Sequence, residues 1–147
     1  MMGKLAQRFL DAEKSGVYRV SGAGVPRTAA REAGLALLEV SLDGVADKDA
    51  LLRQFAASLG FPDWFGGNWD ALEECLTDLS WCEAAGYVLL VRGAAALAVR
   101  GAADYGVLID LLGGCAQSWR ERGVPFFAVC VDPGGALALP PLYNESQ

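Results

Sequence analysis

Residues 35–60 read LALLEVSLDGVADKDALLRQFAASLG, an apolar run followed by a helical pattern. The run at residues 35–41 is nearly continuous in apolar and β-branched side chains, as in a parallel strand covered by helices. Residues 47–59 place their large apolar side chains on one helical face, with Asp47 as a suitable N-cap and Gly60 as a stop signal. This stretch predicts a buried strand followed by an amphipathic helix.

The same two patterns alternate along the rest of the chain. Residues 87–91 (YVLLV) and 126–131 (FFAVCV) have the pattern of buried strands, and residues 17–20 (VYRV) are a candidate for an extra edge strand. Helices are predicted over residues 93–100 and 104–122. The alternation predicts an α/β fold in which a small three-stranded parallel sheet packs with helices, with the N-terminal edge strand as an option.

The predicted helix over residues 104–122 has one buried apolar stripe that two glycines interrupt. Each of Gly113 and Gly114 costs about 1 kcal/mol relative to alanine in a helix interior. We therefore expect close packing or a kink at this point.

The length of 147 residues predicts one domain. Residues 35–132 contain the alternating strands and helices of the predicted core. Residues 1–34 form an N-terminal extension, predicted to contain a helix and the candidate strand and to pack on the same domain, and residues 133–147 form a C-terminal tail. The chain shows no targeting signal and no apolar run of membrane length, so we expect a cytoplasmic protein. We also expect a monomer.

Cysteine and histidine usage argues against most enzymes. The four cysteines include no C-x-x-C pair, which favours reduced, mostly buried thiols over a zinc site or a disulfide framework: Cys75, Cys82, Cys115 and Cys130. The chain has no histidine, the commonest general base and metal ligand. We expect no catalytic residues, no metal site and no cofactor.

The net charge of −6 is concentrated in one window of the chain. Residues 54–91 contain six acidic residues and no Lys or Arg, and the other 12 acids are balanced by the 12 bases. A concentrated negative field repels nucleic acid and attracts a basic partner.

Within this window a helix is predicted to begin at Trp69, with Asn68 as its N-cap. At 100° per residue its acidic side chains lie opposite its large apolar ones, and the acidic face comprises Asp70, Glu73 and Glu74, with Thr77 beside them. Like charges at i and i+4 destabilise a helix by roughly 0.2–0.5 kcal/mol. The face is therefore either simply solvated or one half of a contact with a basic partner.

Two aromatic residues precede the helix, beside a glycine pair. Trp64 and Phe65 either fold back on the core or anchor a partner, since aromatics are frequent interface anchors. An aromatic side chain exposed beside carboxylates is typical of a binding site.

Residues 62–77 read PDWFGGNWDALEECLT. This order resembles the central motif of the barstar family, which runs proline, acid, two aromatics, glycine, any residue, asparagine, an apolar residue, Asp-Ala-Leu, any residue, acid, Cys-Leu-Thr. The order of predicted elements extends the resemblance over residues 35–132. It implies the α/β fold of that family.

In that family the aromatic loop and the acidic helix plug the active site of a ribonuclease, with carboxylates in the places of RNA phosphates. The resemblance implies that Asp70 and Glu74 meet Arg and Lys side chains of the partner. The other implied partner-binding residues are Trp64, Phe65, Gly66, Asn68, Trp69, Ala71, Glu73 and Thr77. The implied partner is a small basic bacterial ribonuclease of the secreted, barnase-like type, with no direct binding of nucleic acid.

The sequence departs from the family pattern at three positions. Glu73 stands where the archetype has an aromatic, and Glu74 stands where it has an aspartate. The archetype contributes a further acid from its last helix, and the corresponding position in this sequence is Ser118. These departures predict a changed partner specificity.

Two other functions remain open on the sequence. An enzyme would use Asp70 and Glu74 as an acid and base pair or around Mg²⁺, although an exposed i, i+4 pair lacks the burial that separates two carboxyl pKa values. A barstar-like domain would instead bind another basic protein, with residues 1–34 taking part.

Overall fold

The computed structural model describes residues 2–62 and 65–144. The helices of this part are α1 (Lys4–Phe9), α2 (Gly24–Glu32), α3 (Lys48–Leu59), α4 (Trp69–Asp78), α5 (Ala94–Arg100) and α6 (Ala102–Glu121). The strands are β1 (Gly16–Val20), β2 (Ala36–Ser41), β3 (Tyr87–Arg92) and β4 (Phe126–Val131). Short 3₁₀ turns lie at Ala12–Lys14 and Ser80–Cys82.

The strands form one parallel sheet in the order β1-β4-β3-β2. The predicted edge strand is present as β1, which pairs with β4 so that Gly16 lies opposite Phe127 and Val20 opposite Val131. The sheet of the described chain therefore has four strands rather than three.

Burial of the strands follows their place in the sheet. All residues of the central strands β3 and β4 are buried except Arg92 and Val131 at their ends. The strand β2, predicted as buried, is mostly half-buried because it lies at the edge. A parallel strand is fully buried only where helices cover both of its faces. An edge strand is covered less completely than a central one.

Helices cover both faces of the sheet. The smaller core cluster joins α1 and α2 to one face, through residues such as Phe9, Ala30 and Phe127. The larger cluster joins α3, α4, α5 and α6 to the other face, through residues such as Phe55 and Leu72. The acidic helix α4 and the first two helices therefore lie on opposite faces of the sheet.

The C-terminal segment runs beside the outer edge of β1. The Arg19 amide donates to the Pro140 carbonyl over 2.9 Å, and the Leu142 amide donates to the Arg19 carbonyl over 2.9 Å. The Arg19 Nε atom also donates to the Leu139 carbonyl. These bonds satisfy part of a sheet edge that would otherwise remain unpaired.

All four cysteines are free thiols, as their spacing predicts, and three of them are buried. Burial raises the pKa of Cys75 to about 11. It raises the pKa of Cys115 and of Cys130 to about 12. These three side chains are therefore protonated at neutral pH and serve as small apolar core residues.

The long helix α6 runs without a break through its two glycines. No neighbouring atom lies within 4 Å of where a Cβ would stand at Gly113 or Gly114. Close packing, one of the two predicted alternatives, is therefore wrong, and neither glycine is required by a neighbouring element. The other alternative, a kink, stays a prediction.

We expect the Gly114→Ala variant to be more stable than the parent. Gly114 is exposed in the interior of α6, and alanine removes unfolded-chain entropy there, so the free energy of unfolding should rise by about 0.5–1 kcal/mol. Urea denaturation measures this change. The matched control is Gly93→Ala, which should destabilise, because Gly93 has φ of 81° and a Cβ there would lie 2.6 Å from Asp43 Oδ1.

Candidate functional site

The helix α4 begins at a well-formed N-cap. Asn68 is extended, with φ of −130°, and its side-chain oxygen accepts a hydrogen bond from the Ala71 amide over 2.7 Å. Gly67 before it has φ of 70°, a left-handed conformation that favours glycine. The chain therefore turns sharply into α4, and Asp70 comes to lie in the first turn, where the helix dipole stabilises a carboxylate.

The two faces of α4 differ as the helical period predicts. Leu72, Cys75 and Leu76 are fully buried in the larger core. On the opposite side the carboxylates are exposed, and a shallow depression is lined by Asp70, Glu73, Glu74 and Thr77. The structure thus brings these four predicted residues onto one surface, which we call the acidic face.

The carboxylates of the acidic face have no ion-pair partner among the described residues. In the part of the chain that the structure describes, the ion pair found is Arg27 to Glu39, at 2.7 Å between Nη2 and Oε1, and it joins α2 to β2. Asp70, Glu73 and Glu74 form no ion pair with any described residue. Three carboxylates are therefore held together on a helix that packs firmly on its other side.

The remaining predicted site residues surround the start of α4. Gly66 and Asn68 are exposed, Trp69 is half-buried, and Ala71 is buried with 7% of its surface exposed. Phe65 is half-buried and packs on Phe61, with ring centroids 5.0 Å apart. Asp63 and Trp64 lie outside the described residues, so the predicted role of Trp64 stays a prediction.

The last turn of α4 is held by Trp119 of α6 and by Arg122, the residue just after α6. A helix leaves its last carbonyls without intrahelical donors. Here Trp119 Nε1 donates to the Leu76 carbonyl over 2.8 Å, in a buried position. Arg122 Nη2 donates to the Thr77 carbonyl over 2.6 Å, and its guanidinium lies 3.6 Å from the Trp119 ring centroid. The acidic face is therefore carried by a helix fixed at both ends.

Ser118, where the resemblance expects an acid, lies beside this guanidinium. Arg122 Nη2 is 3.5 Å from the Ser118 hydroxyl oxygen. The end of the acidic face near Thr77 consequently carries a positive charge, and the sequence prediction did not include it. Arg122 and Ser118 are four residues apart and so share one side of a helix, but this spacing does not show that the side meets α4.

A second residue that the sequence prediction missed is Asp110 of α6. It lines an open groove together with Trp69, Asp70 and Glu73 of α4. The only sequence signal for it was its position outside the buried stripe of α6. The spacing of residues along α6 does not show which helix packs against that side of it.

Within the described residues, no three His, Cys, Asp or Glu side chains group together in a way that could hold a metal ion. The search for membrane-spanning helices found none with the required length and apolarity in that same part of the chain.

Comparison with solved structures finds similarity to the ORC2 protein of Aeropyrum pernix, determined in ADPNP and ADP complexes. The TM-score is 0.55 at 15% sequence identity, over 87% of this chain and 39% of that one. At this identity the likeness shows the fold alone. The chain spans less than half of that protein's length. No curated protein matches the chain.

Comparison with protein families gives a more specific result. A sequence model of the family described as "Barstar (barnase inhibitor)" matches residues 35–131, from just before β2 to the end of β4. The matched range includes all of α4 and the loop before it, and it covers more than half of the chain. The protein belongs to the Barstar (barnase inhibitor) family.

Proposed function

We propose that the protein is an inhibitor that blocks the active site of a small basic bacterial ribonuclease. The acidic face of α4 enters that site, and its carboxylates take the places of RNA phosphates. Carboxylate and phosphate are both held by Arg and Lys side chains, the former often bidentately, so one can substitute for the other. The protein needs no catalytic group or cofactor for this function.

The observation that carries the proposal is the set of three exposed, unpaired carboxylates on a rigidly held helix. Asp70, Glu73 and Glu74 repel one another in the free protein, which is unfavourable for α4 by itself. Bases from a partner remove that repulsion on binding. Because Asn68, Trp119 and Arg122 already fix α4, little conformational entropy is lost when the partner docks.

The two rival functions have less support from the geometry. Asp70 and Glu74 are both exposed, and a carboxylate pair working as acid and base needs an environment that separates the two pKa values. A different basic partner would use the same charges. The family match places α4 inside the barnase-inhibitor range, which favours a ribonuclease over an unrelated basic protein.

The proposal is tested by titrating a ribonuclease with the purified protein. Barnase, and any small basic ribonuclease encoded beside this gene, are assayed on an RNA substrate while inhibitor is added. We expect hydrolysis to stop at a 1:1 molar ratio. The Asp70→Asn, Glu74→Gln double variant, with its fold checked by circular dichroism, should inhibit far less. Full ribonuclease activity with excess parent protein in every case would contradict the proposal.

A further inference from the structure

An open groove lies between α4 and the first half of α6. Its volume is about 350 Å³, and its walls are Trp69, Asp70 and Glu73 from α4 and Val107, Asp110 and Leu111 from α6. It adjoins the acidic face, because Asp70 and Glu73 line both depressions. We call it the α4–α6 groove.

The groove combines an apolar floor with an acidic rim. Trp69 is half-buried, Leu111 is buried, and Val107 has 41% of its surface exposed. Val107 is one of few large apolar side chains that the described chain leaves so open. The rim carries exposed carboxylates from both helices, Asp70 and Glu73 from α4 and Asp110 from α6.

We propose that the α4–α6 groove takes an Arg or Lys side chain of the ribonuclease, with Asp110 as a further partner-binding residue. This inference rests on the proposed function and extends its contact surface onto α6. Arg and Lys have an apolar stem and a charged end, so the stem packs on Trp69 and Val107 while the charge meets the rim. A guanidinium also stacks favourably on an aromatic face such as that of Trp69.

The size of a stable interface supports this extension. A specific complex buries about 800 Å² on each partner, contributed by roughly 20–30 residues. The acidic face of α4 and the loop before it supply far fewer, so the partner must also cover neighbouring elements.

The charges on either side of α4 decide the direction in which the contact extends. Beyond Thr77 the partner would meet the guanidinium of Arg122, which repels a basic protein. Beyond Trp69 and Glu73 it meets Asp110 and an apolar floor. A basic ribonuclease is therefore complementary to the α6 side that carries Asp110 rather than to the end that carries Arg122.

The test compares Asp110→Asn with Glu32→Gln. Both variants lose one negative charge, but Glu32 lies on α2, on the opposite face of the sheet. Kinetics are measured by surface plasmon resonance with the ribonuclease that the parent inhibits. We expect Asp110→Asn to raise Kd by about tenfold, mainly through faster dissociation, because a direct contact acts on koff and a distant charge acts on kon. Glu32→Gln should leave koff within about twofold of the parent.

A second variant, Val107→Arg, places a guanidinium of the protein's own in the groove. It should raise koff by at least as much as Asp110→Asn, since it both fills the floor and neutralises the rim. If neither variant changes koff more than Glu32→Gln while Asp70→Asn still weakens binding, the groove is not part of the contact and the proposed function stands. If Asp70→Asn also binds like the parent, the proposed function itself is wrong.

Discussion

We expect the Asp70→Ala variant to bind the ribonuclease more weakly by about 2–5 kcal/mol, or roughly 30-fold to several thousand-fold in Kd. The loss is large because removal of one carboxylate leaves a basic group of the ribonuclease buried and unpaired. Asp70 lies in the first turn of α4, between the acidic face and the α4–α6 groove. Together with Glu73, it is one of the two carboxylates that line both parts of the proposed contact.

Glu74→Ala should weaken the complex within the same range. Isothermal titration calorimetry or competition kinetics measures both variants, with Glu32→Ala as the control of equal charge change on the other face. Asp70→Ala also loses a favourable interaction with the helix dipole, worth about 0.3–1 kcal/mol of stability, so unfolding curves must accompany the binding data. Parent-like affinity in both α4 variants would mean that the acidic face does not enter the active site.

The order of core elements could be predicted because each core strand and most helices carry their own pattern. β4 and the long apolar stripe of α6 are examples. The helix α2 was not predicted, and its composition explains why. Its buried residues are Pro26, Ala29 and Ala30, which are too small to produce a strong helical periodicity. Their small size nevertheless suits a helix that packs closely on the sheet.

The acidic face could be predicted from one helix, whereas its surroundings could not. The spacing of Asp70, Glu73 and Glu74 fixes their common side at 100° per residue. The contacts of Trp119 with Leu76 and of Arg122 with Thr77 join residues 43 and 45 positions apart. No local pattern shows which turn of α6 meets which turn of α4, so the positive charge at Arg122 and the groove at Asp110 emerged only from the structure.

Replacing Trp119 by alanine should lower the free energy of unfolding by about 3–5 kcal/mol, the usual cost of deleting a buried large aromatic side chain. Trp119 has 6% of its surface exposed and packs on Tyr87, with ring centroids 5.0 Å apart. It also donates a buried hydrogen bond to the Leu76 carbonyl over 2.8 Å. Its loss opens a cavity and leaves a buried acceptor unsatisfied. Urea denaturation measures the change.

The Trp119→Phe variant separates the effect of the cavity from the effect of the lost hydrogen bond. Phenylalanine retains much of the ring volume but cannot donate to the Leu76 carbonyl, so it should cost about 1–3 kcal/mol. The same variant should increase amide hydrogen exchange in the last turn of α4 more than in β4. The reason is that α4 loses a hydrogen bond that fixes its end, whereas β4 loses none. A parent-like unfolding curve for Trp119→Phe would show that the bond adds no net stability. In that case the N-cap at Asn68 and the buried leucines of α4 suffice to hold the acidic face in place.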